Sequence, residues 1–192
     1  MLKRIVSLLL VSVFVLSSAL VVQASTSTII PDSSSYVVLF NGEIFDTTGM
    51  TVTEENHDGD IVRTFVDSDG AFVAMEVLPL LSAEEYLMAT SRSVITGTRT
   101  FDHHVGDRHV GQCVYRVELD YVVVNFNSSA FTRIWVTHAV RGGAPHTTSV
   151  EGVSRNNNIA HATFVASLGN GSTRHTYRYT VNTNASVTRV RV

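Results

Sequence analysis

Cys113-Val114-Tyr115-Arg116-Val117-Glu118-Leu119-Asp120-Tyr121-Val122-Val123 is the stretch that decides the fold. Cys113, Tyr115, Val117, Leu119, Tyr121 and Val123 alternate with Arg116, Glu118 and Asp120, the period of a strand with one face buried and one wet. The same period recurs on both sides. Downstream, Ala160, Ala162, Phe164, Ala166 and Leu168 face one way. Gly169-Asn170-Gly171 then turns the chain into His175, Tyr177, Tyr179 and Val181, and Val187 to Val192 is the last strand. Upstream, Ile61–Val66 and Ala71–Leu78 flank Asp67-Ser68-Asp69-Gly70, which reads as a hairpin, with Pro79 closing its second strand. Tyr36 to Phe40 is a short run ended by Asn41-Gly42. Asn127-Ser128-Ser129 predicts a turn into a strand from Phe131 to Val140. Arg141-Gly142-Gly143-Ala144-Pro145 and Arg155-Asn156-Asn157-Asn158 read as loops. Short strands separated by turn signals predict an all-β, antiparallel sandwich or partly closed barrel.

One short helix interrupts the strands. Ser82 and Glu85 form a Ser-x-x-Glu capping box, and Leu81 can staple onto Tyr86, so a helix is expected over about 83–92. The chain opens with Lys3 and Arg4, an apolar run from Ile5 to Leu16, and small residues at Val22-Gln23-Ala24. This is a signal-peptide pattern, helical and cleaved after Ala24. The rival reading is an uncleaved anchor, since the apolar stretch reaches Val22. No later run is long enough to span a membrane. The expected organisation is a signal peptide over 1–24, a flexible Ser/Thr-rich leading segment over 25–35, and a single β domain over 36–192.

The run Arg63-Thr64-Phe65, Asp69-Gly70, Met75-Glu76-Val77-Leu78-Pro79, followed by a meander with Asn-rich turns, resembles small secreted all-β proteins of Gram-positive bacteria. Those proteins have no assigned function. The resemblance implies an all-β fold and export from a Gram-positive cell, and it carries over no site residues.

Charge is distributed unevenly. After the signal there is no lysine and there are twelve arginines. From Ser25 to Asp120 five arginines meet sixteen carboxylates, whereas from Tyr121 onward seven arginines meet Glu151 alone. Such a split predicts either halves that attract each other or a basic face for an anionic partner. The last hairpin sharpens the second option. Pairing Tyr179 with Thr188 keeps Val190 and Val192 inward, sets Arg178 opposite Arg189, and makes Arg174, Arg178, Arg189 and Arg191 a candidate anion-binding face. Like charges directly opposite destabilise a sheet unless a counter-anion, acidic side chains of the N-terminal half or a polyanionic partner neutralises them, and a plainly solvated face accounts for the same residues.

Asp102-His103-His104-Val105-Gly106-Asp107-Arg108-His109 is the strongest polar cluster. With Gly106-Asp107 as a two-residue loop, His104 faces His109 and Asp102 lies diagonally, a geometry suited to zinc or copper. A solvated hairpin tip accounts for the same residues, and a pH-sensitive His pair is a third reading. Cys113 is in register with inward residues, which suits a small buried hydrophobe better than a nucleophile. Asp67-x-Asp69-Gly70 and Asp58-Gly59-Asp60 suit turns and lack a full set of calcium ligands. No nucleophile elbow or phosphate-binding glycine loop is present.

The expected function is therefore that of a secreted, non-enzymatic binding or surface-associated protein contacting anionic cell-envelope polymers. No cofactor and no nucleic acid is expected. The alternative is an extracellular hydrolase, either metal-dependent through Asp102, His104 and His109 or built on paired carboxylates.

Overall fold

The computed structural model describes residues 28–29, 35–57, 59–79, 93–107, 111–143, 147–168 and 171–192. The expected signal peptide and the helix over about 83–92 lie outside them. The described residues are all β, arranged in antiparallel sheets, none closed into a barrel. The strands are β1 (Thr28–Ile29), β2 (Tyr36–Val38), β3 (Ile44–Asp46), β4 (Thr51–His57), β5 (Asp60–Val66), β6 (Phe72–Pro79), β7 (Val94–Asp107), β8 (Gly111–Val124), β9 (Ser128–Gly143), β10 (Thr147–Asn156), β11 (Ile159–Leu168), β12 (Gly171–Val181) and β13 (Val187–Arg191). A seven-stranded sheet runs β1-β4-β5-β6-β9-β8-β7, and a four-stranded sheet runs β10-β11-β12-β13. The β2–β3 hairpin is separate.

The two larger sheets face each other as a sandwich. Alternate residues of β7, β8 and β9, among them Val105, Cys113, Tyr115, Val117, Leu119, Phe131, Ile134 and Val136, meet Ala160, Ala162, Phe164, Tyr179 and Val181 of the smaller sheet. The alanines on β11 leave room for rings, and Tyr115 stacks on Phe164 with centroids 4.7 Å apart. The Tyr115 hydroxyl donates to the Val165 carbonyl, so burying it leaves no orphan donor. Gly97 serves close approach. A Cβ there would lie 2.6 Å from the Tyr121 hydroxyl, which donates to the Ala185 carbonyl at 3.1 Å.

The other face of the large sheet carries the β2–β3 hairpin. Leu39, with half-buried Val37 and Phe45, packs on Val52, Phe65, Ala74 and Trp135. Phe45 lies edge-on to Phe65 at 5.1 Å and to Trp135 at 5.2 Å.

Several expected boundaries move. The leading segment contains β1, which pairs Thr28 with Glu54. The turn expected at Asn127-Ser128-Ser129 sits earlier. Asn127 N–H bonds to the Val124 carbonyl, and Asn125 and Phe126 take positive φ of 51° and 55°. β9 also runs on through Gly143, inside the expected Arg141–Pro145 loop. The hairpin around Asp67 forms as expected, and the Asp67 carboxylate accepts from the Asp69 and Ala71 amides at 2.9 and 2.8 Å. Those bonds make Asp67 a turn former.

Candidate functional site

The polar hairpin has a different register from the one its loop residues suggest. Gly106 pairs with Gln112 and Asp107 with Gly111, so both residues belong to the ladder and Gly106-Asp107 is not the turn. His104 is opposite Val114 and Asp102 opposite Arg116. The reason is the apolar alternation. The expected register would set Tyr115 against Thr98 and Val117 against Thr96. The observed one sets Phe101, His103 and Val105 against Val117, Tyr115 and Cys113, all on the core side. Asp102 and His104 do share the outer face of β7. Arg116 engages both Asp102 oxygens, Nε to Oδ1 at 3.0 Å and Nη2 to Oδ2 at 3.3 Å, while His104 Nδ1 lies 3.1 Å from Gln112 Oε1. His109 lies outside the described residues. Among those residues no group of three His, Cys, Asp or Glu side chains converges to hold a metal ion.

The four C-terminal arginines do not share a face. Tyr179 pairs with Arg189, Tyr177 with Arg191, and Arg178 with Val190. This is one residue away from the expected pairing, and in a sheet that exchanges the faces. The turn decides it. Asn182 N–H reaches the Ser186 carbonyl at 2.8 Å, Ala185 takes φ of 62°, and Val187 is set against Val181 over the core. Val190 and Val192 consequently point outward and are exposed. Arg174 and Arg178 stand on the outer face of the small sheet, and Arg174 pairs with Glu151. Arg189 and Arg191 stand on the inner face of its edge strand. There the Arg189 guanidinium carbon lies 5.3 Å from the Phe101 ring centre and 5.9 Å from that of Tyr177, and Nη1 donates to the Asp102 carbonyl at 3.4 Å.

The remaining charges form a row across the outer face of the large sheet. Glu76, with 0% of its surface exposed, accepts from Arg133 Nε at 3.0 Å, the Phe40 amide at 3.0 Å and Arg63 Nη1 at 3.4 Å. Arg63 also holds Glu54, and Arg133 Nη1 reaches Asp120 Oδ2 at 3.2 Å. Thr98 donates to the other Asp120 oxygen at 2.6 Å. Beside this row, a cleft of about 370 Å³ opens between the β2–β3 turn and strands β7, β8 and β9. Glu43, Glu118, Asp120 and Arg133 line it, together with threonines.

No family model, curated protein or solved structure matches this chain.

Two groups with nucleophilic or acid–base chemistry are enclosed in the core. The Cys113 thiol is fully buried, and burial raises its pKa to about 11. His103, which sits in the polar cluster of the sequence, is 1% exposed between Phe164 and Tyr177, with Nε2 2.6 Å from the Tyr179 hydroxyl. Burial first, then Arg189, lowers its pKa to about 3. Its odd-numbered place in β7, in step with Phe101 and Val105, is the signal that marks it as inward.

Proposed function

We propose that the protein is an exported, non-enzymatic binding protein that holds anionic extracellular polymers through arginines its own carboxylates leave unpaired. One observation carries this reading. Of the nine arginines whose side chains are described, Arg63, Arg116, Arg133, Arg155 and Arg174 are ion-paired, whereas Arg99, Arg178, Arg189 and Arg191 have no carboxylate partner among the described residues. The pairing also accounts for much of the charge split. Arg133 and Arg155 of the basic half meet Glu76, Asp120 and Asp60 of the acidic half. Of these four, Arg99, Arg189 and Arg191 stand on the core-facing sides of the edge strands β7 and β13 and are the ones that hold the polymer, whereas Arg178 stands apart on the outer face of the small sheet. Guanidinium groups suit phosphate and carboxylate because their planar donors engage two oxygens together. Export follows from the N-terminal pattern of charge, apolar run and small residues.

The test is retention of the chain from Ser25 onward on immobilised anionic polymer. Retention at low salt that fades as salt rises is expected, because exposed charges are screened over about 8 Å at physiological ionic strength. No retention at low salt removes the reading. A second reading rests on the cleft, where Glu118 and Asp120 lie two apart on the same face of β8. Paired carboxylates are the apparatus of glycoside hydrolysis. Asp120 already accepts from Thr98 and Arg133 on its two oxygens, which suits orientation of a ligand better than proton delivery. Turnover of a polysaccharide that stops in Glu118→Gln would favour this hydrolase over the binding protein.

A further inference from the structure

We infer that the open side of the sandwich between β7 and β13 is a track for a linear polyanion with a hydroxylated carbon backbone, contacted by Arg99, Arg189 and Arg191 and floored by Phe101 and Tyr177. The inference rests on the binding function proposed above and gives it a place and a ligand class. β7 and β13 are edge strands of the two facing sheets, and Arg189 of β13 lies over Phe101 of β7, so both edges meet on this side.

Arg189 is held without being neutralised. Two rings and a backbone carbonyl fix its guanidinium, and none of them carries a compensating charge. The carboxylate of Asp102, whose carbonyl Arg189 touches, is on the other face of β7 and is taken by Arg116. Arg191 stands two residues further along β13 on the same face, opposite Tyr177. Arg99 stands two residues before Phe101 on the core-facing side of β7, the last strand of the large sheet, and is exposed. Alternate residues of a strand are about 6.6 Å apart, so Arg189 and Arg191 stand at roughly the spacing of a chain with one anion per short repeat, and Arg99 adds a third cation two residues along β7 from the Phe101 ring beneath Arg189. The parts of the half-buried Phe101 and Tyr177 rings that Arg189 leaves uncovered offer apolar surface to the carbons that separate the anions. A polyol-phosphate or uronate chain has both parts.

The fourth unpaired arginine is the control. Arg178 lies on the outer face of the small sheet, opposite Val190 and away from the track. The experiment measures binding to glycerol-phosphate polymer and to polygalacturonate over a range of salt. It compares wild type with Arg99→Gln/Arg191→Gln and with Arg178→Gln. The double variant alters exposed side chains without touching the stacked Arg189, and its melting temperature reports whether it folds. Binding to either polymer that weakens tenfold or more in the double variant is expected. The slope of log affinity against log salt should become shallower by about 1.4, for two contacts at about 0.7 each. Arg178→Gln should bind like wild type. If wild type binds but the double variant binds equally, or Arg178→Gln weakens as much, the track is wrong and the binding function stands. If wild type binds neither polymer, both fall. Stronger binding to single-stranded DNA than to either polymer would also overturn the track's ligand class.

Discussion

At the scale of the residue, His103 shows how a polar side chain becomes part of a core. One ring nitrogen meets the Tyr179 hydroxyl, and the other, Nδ1, has no hydrogen-bond partner among the described residues. An imidazolium there would need an acceptor for a second N–H and would sit near Arg189, so the neutral ring is strongly preferred. The linkage has a definite sign. The folded pKa of about 3 lies below the ordinary 6.5, so between these values the unfolded chain binds the extra proton. Stability is complete above about pH 6.5 and is lost as pH falls toward 3, by up to about 1.4 kcal/mol per pH unit. Between pH 7 and 5 the loss from this group should be about 2 kcal/mol. His175 shifts in the same direction, through burial and then Arg191. Urea midpoints measured at both pH values should converge in His103→Phe relative to wild type. An unchanged difference in that variant would show that His103 does not titrate on unfolding.

At the scale of the element, the β2–β3 hairpin is short and is held mainly by the residues it buries. Its inward side places Phe45 against Phe65 and Trp135, whereas Ile44, Tyr36 and Val38 point out and are exposed. A two-stranded hairpin of this length is marginal by itself, so docking has to supply its stability. Phe45→Ala should therefore cost about 3 kcal/mol, by transfer and cavity terms together. Ile44→Thr should stay within about 0.5 kcal/mol. Trp135, the sole tryptophan, touches Phe45 and reports the outcome. Its emission should shift to longer wavelength in Phe45→Ala and not in Ile44→Thr. A blue emission retained in Phe45→Ala would mean that the hairpin docks without that ring.

At the scale of the whole molecule, charge is arranged in a row that crosses the large sheet from Glu54 through Arg63, Glu76 and Arg133 to Asp120. Every buried member has an opposite charge beside it, which is the condition for burying ions without a prohibitive desolvation cost. Glu76→Ala removes the hub and leaves Arg133, 4% exposed, without its closest acid. The expected cost is about 3–5 kcal/mol. Replacing both partners, as Glu76→Leu with Arg133→Met, should be milder than Glu76→Ala alone, because no uncompensated charge stays buried. Denaturant titrations of the single and double variants check this. A double variant less stable than the single would show that the ions contribute more than a hydrophobic pair can replace.

How far these features can be read from the chain depends on the range of the interaction. The alternation from Cys113 to Val123 specified a half-buried strand, because side-chain direction in a strand is a local property of period two. The hairpin at Asp67 was equally legible, since the Asp side chain bonds amides only two and four residues away. Recurrent strands and turns sufficed for an all-β fold of sandwich type. Registers were not local. His104 and His109 looked like facing residues only while Gly106-Asp107 was taken for the turn. The core preferred Phe101, His103 and Val105 against Val117, Tyr115 and Cys113. Arg178 and Arg189 parted faces because the Asn182–Ser186 turn shifted the pairing by one residue. The charge split of the two halves was plain in the composition, but composition has no geometry. Only the packing of β9 and β10 with β5, β6 and β8 decided which arginines the acids of the first half would neutralise and which would be left. Ion pairing needs proximity within a few ångströms, and for residues far apart in the chain that proximity is created by the fold.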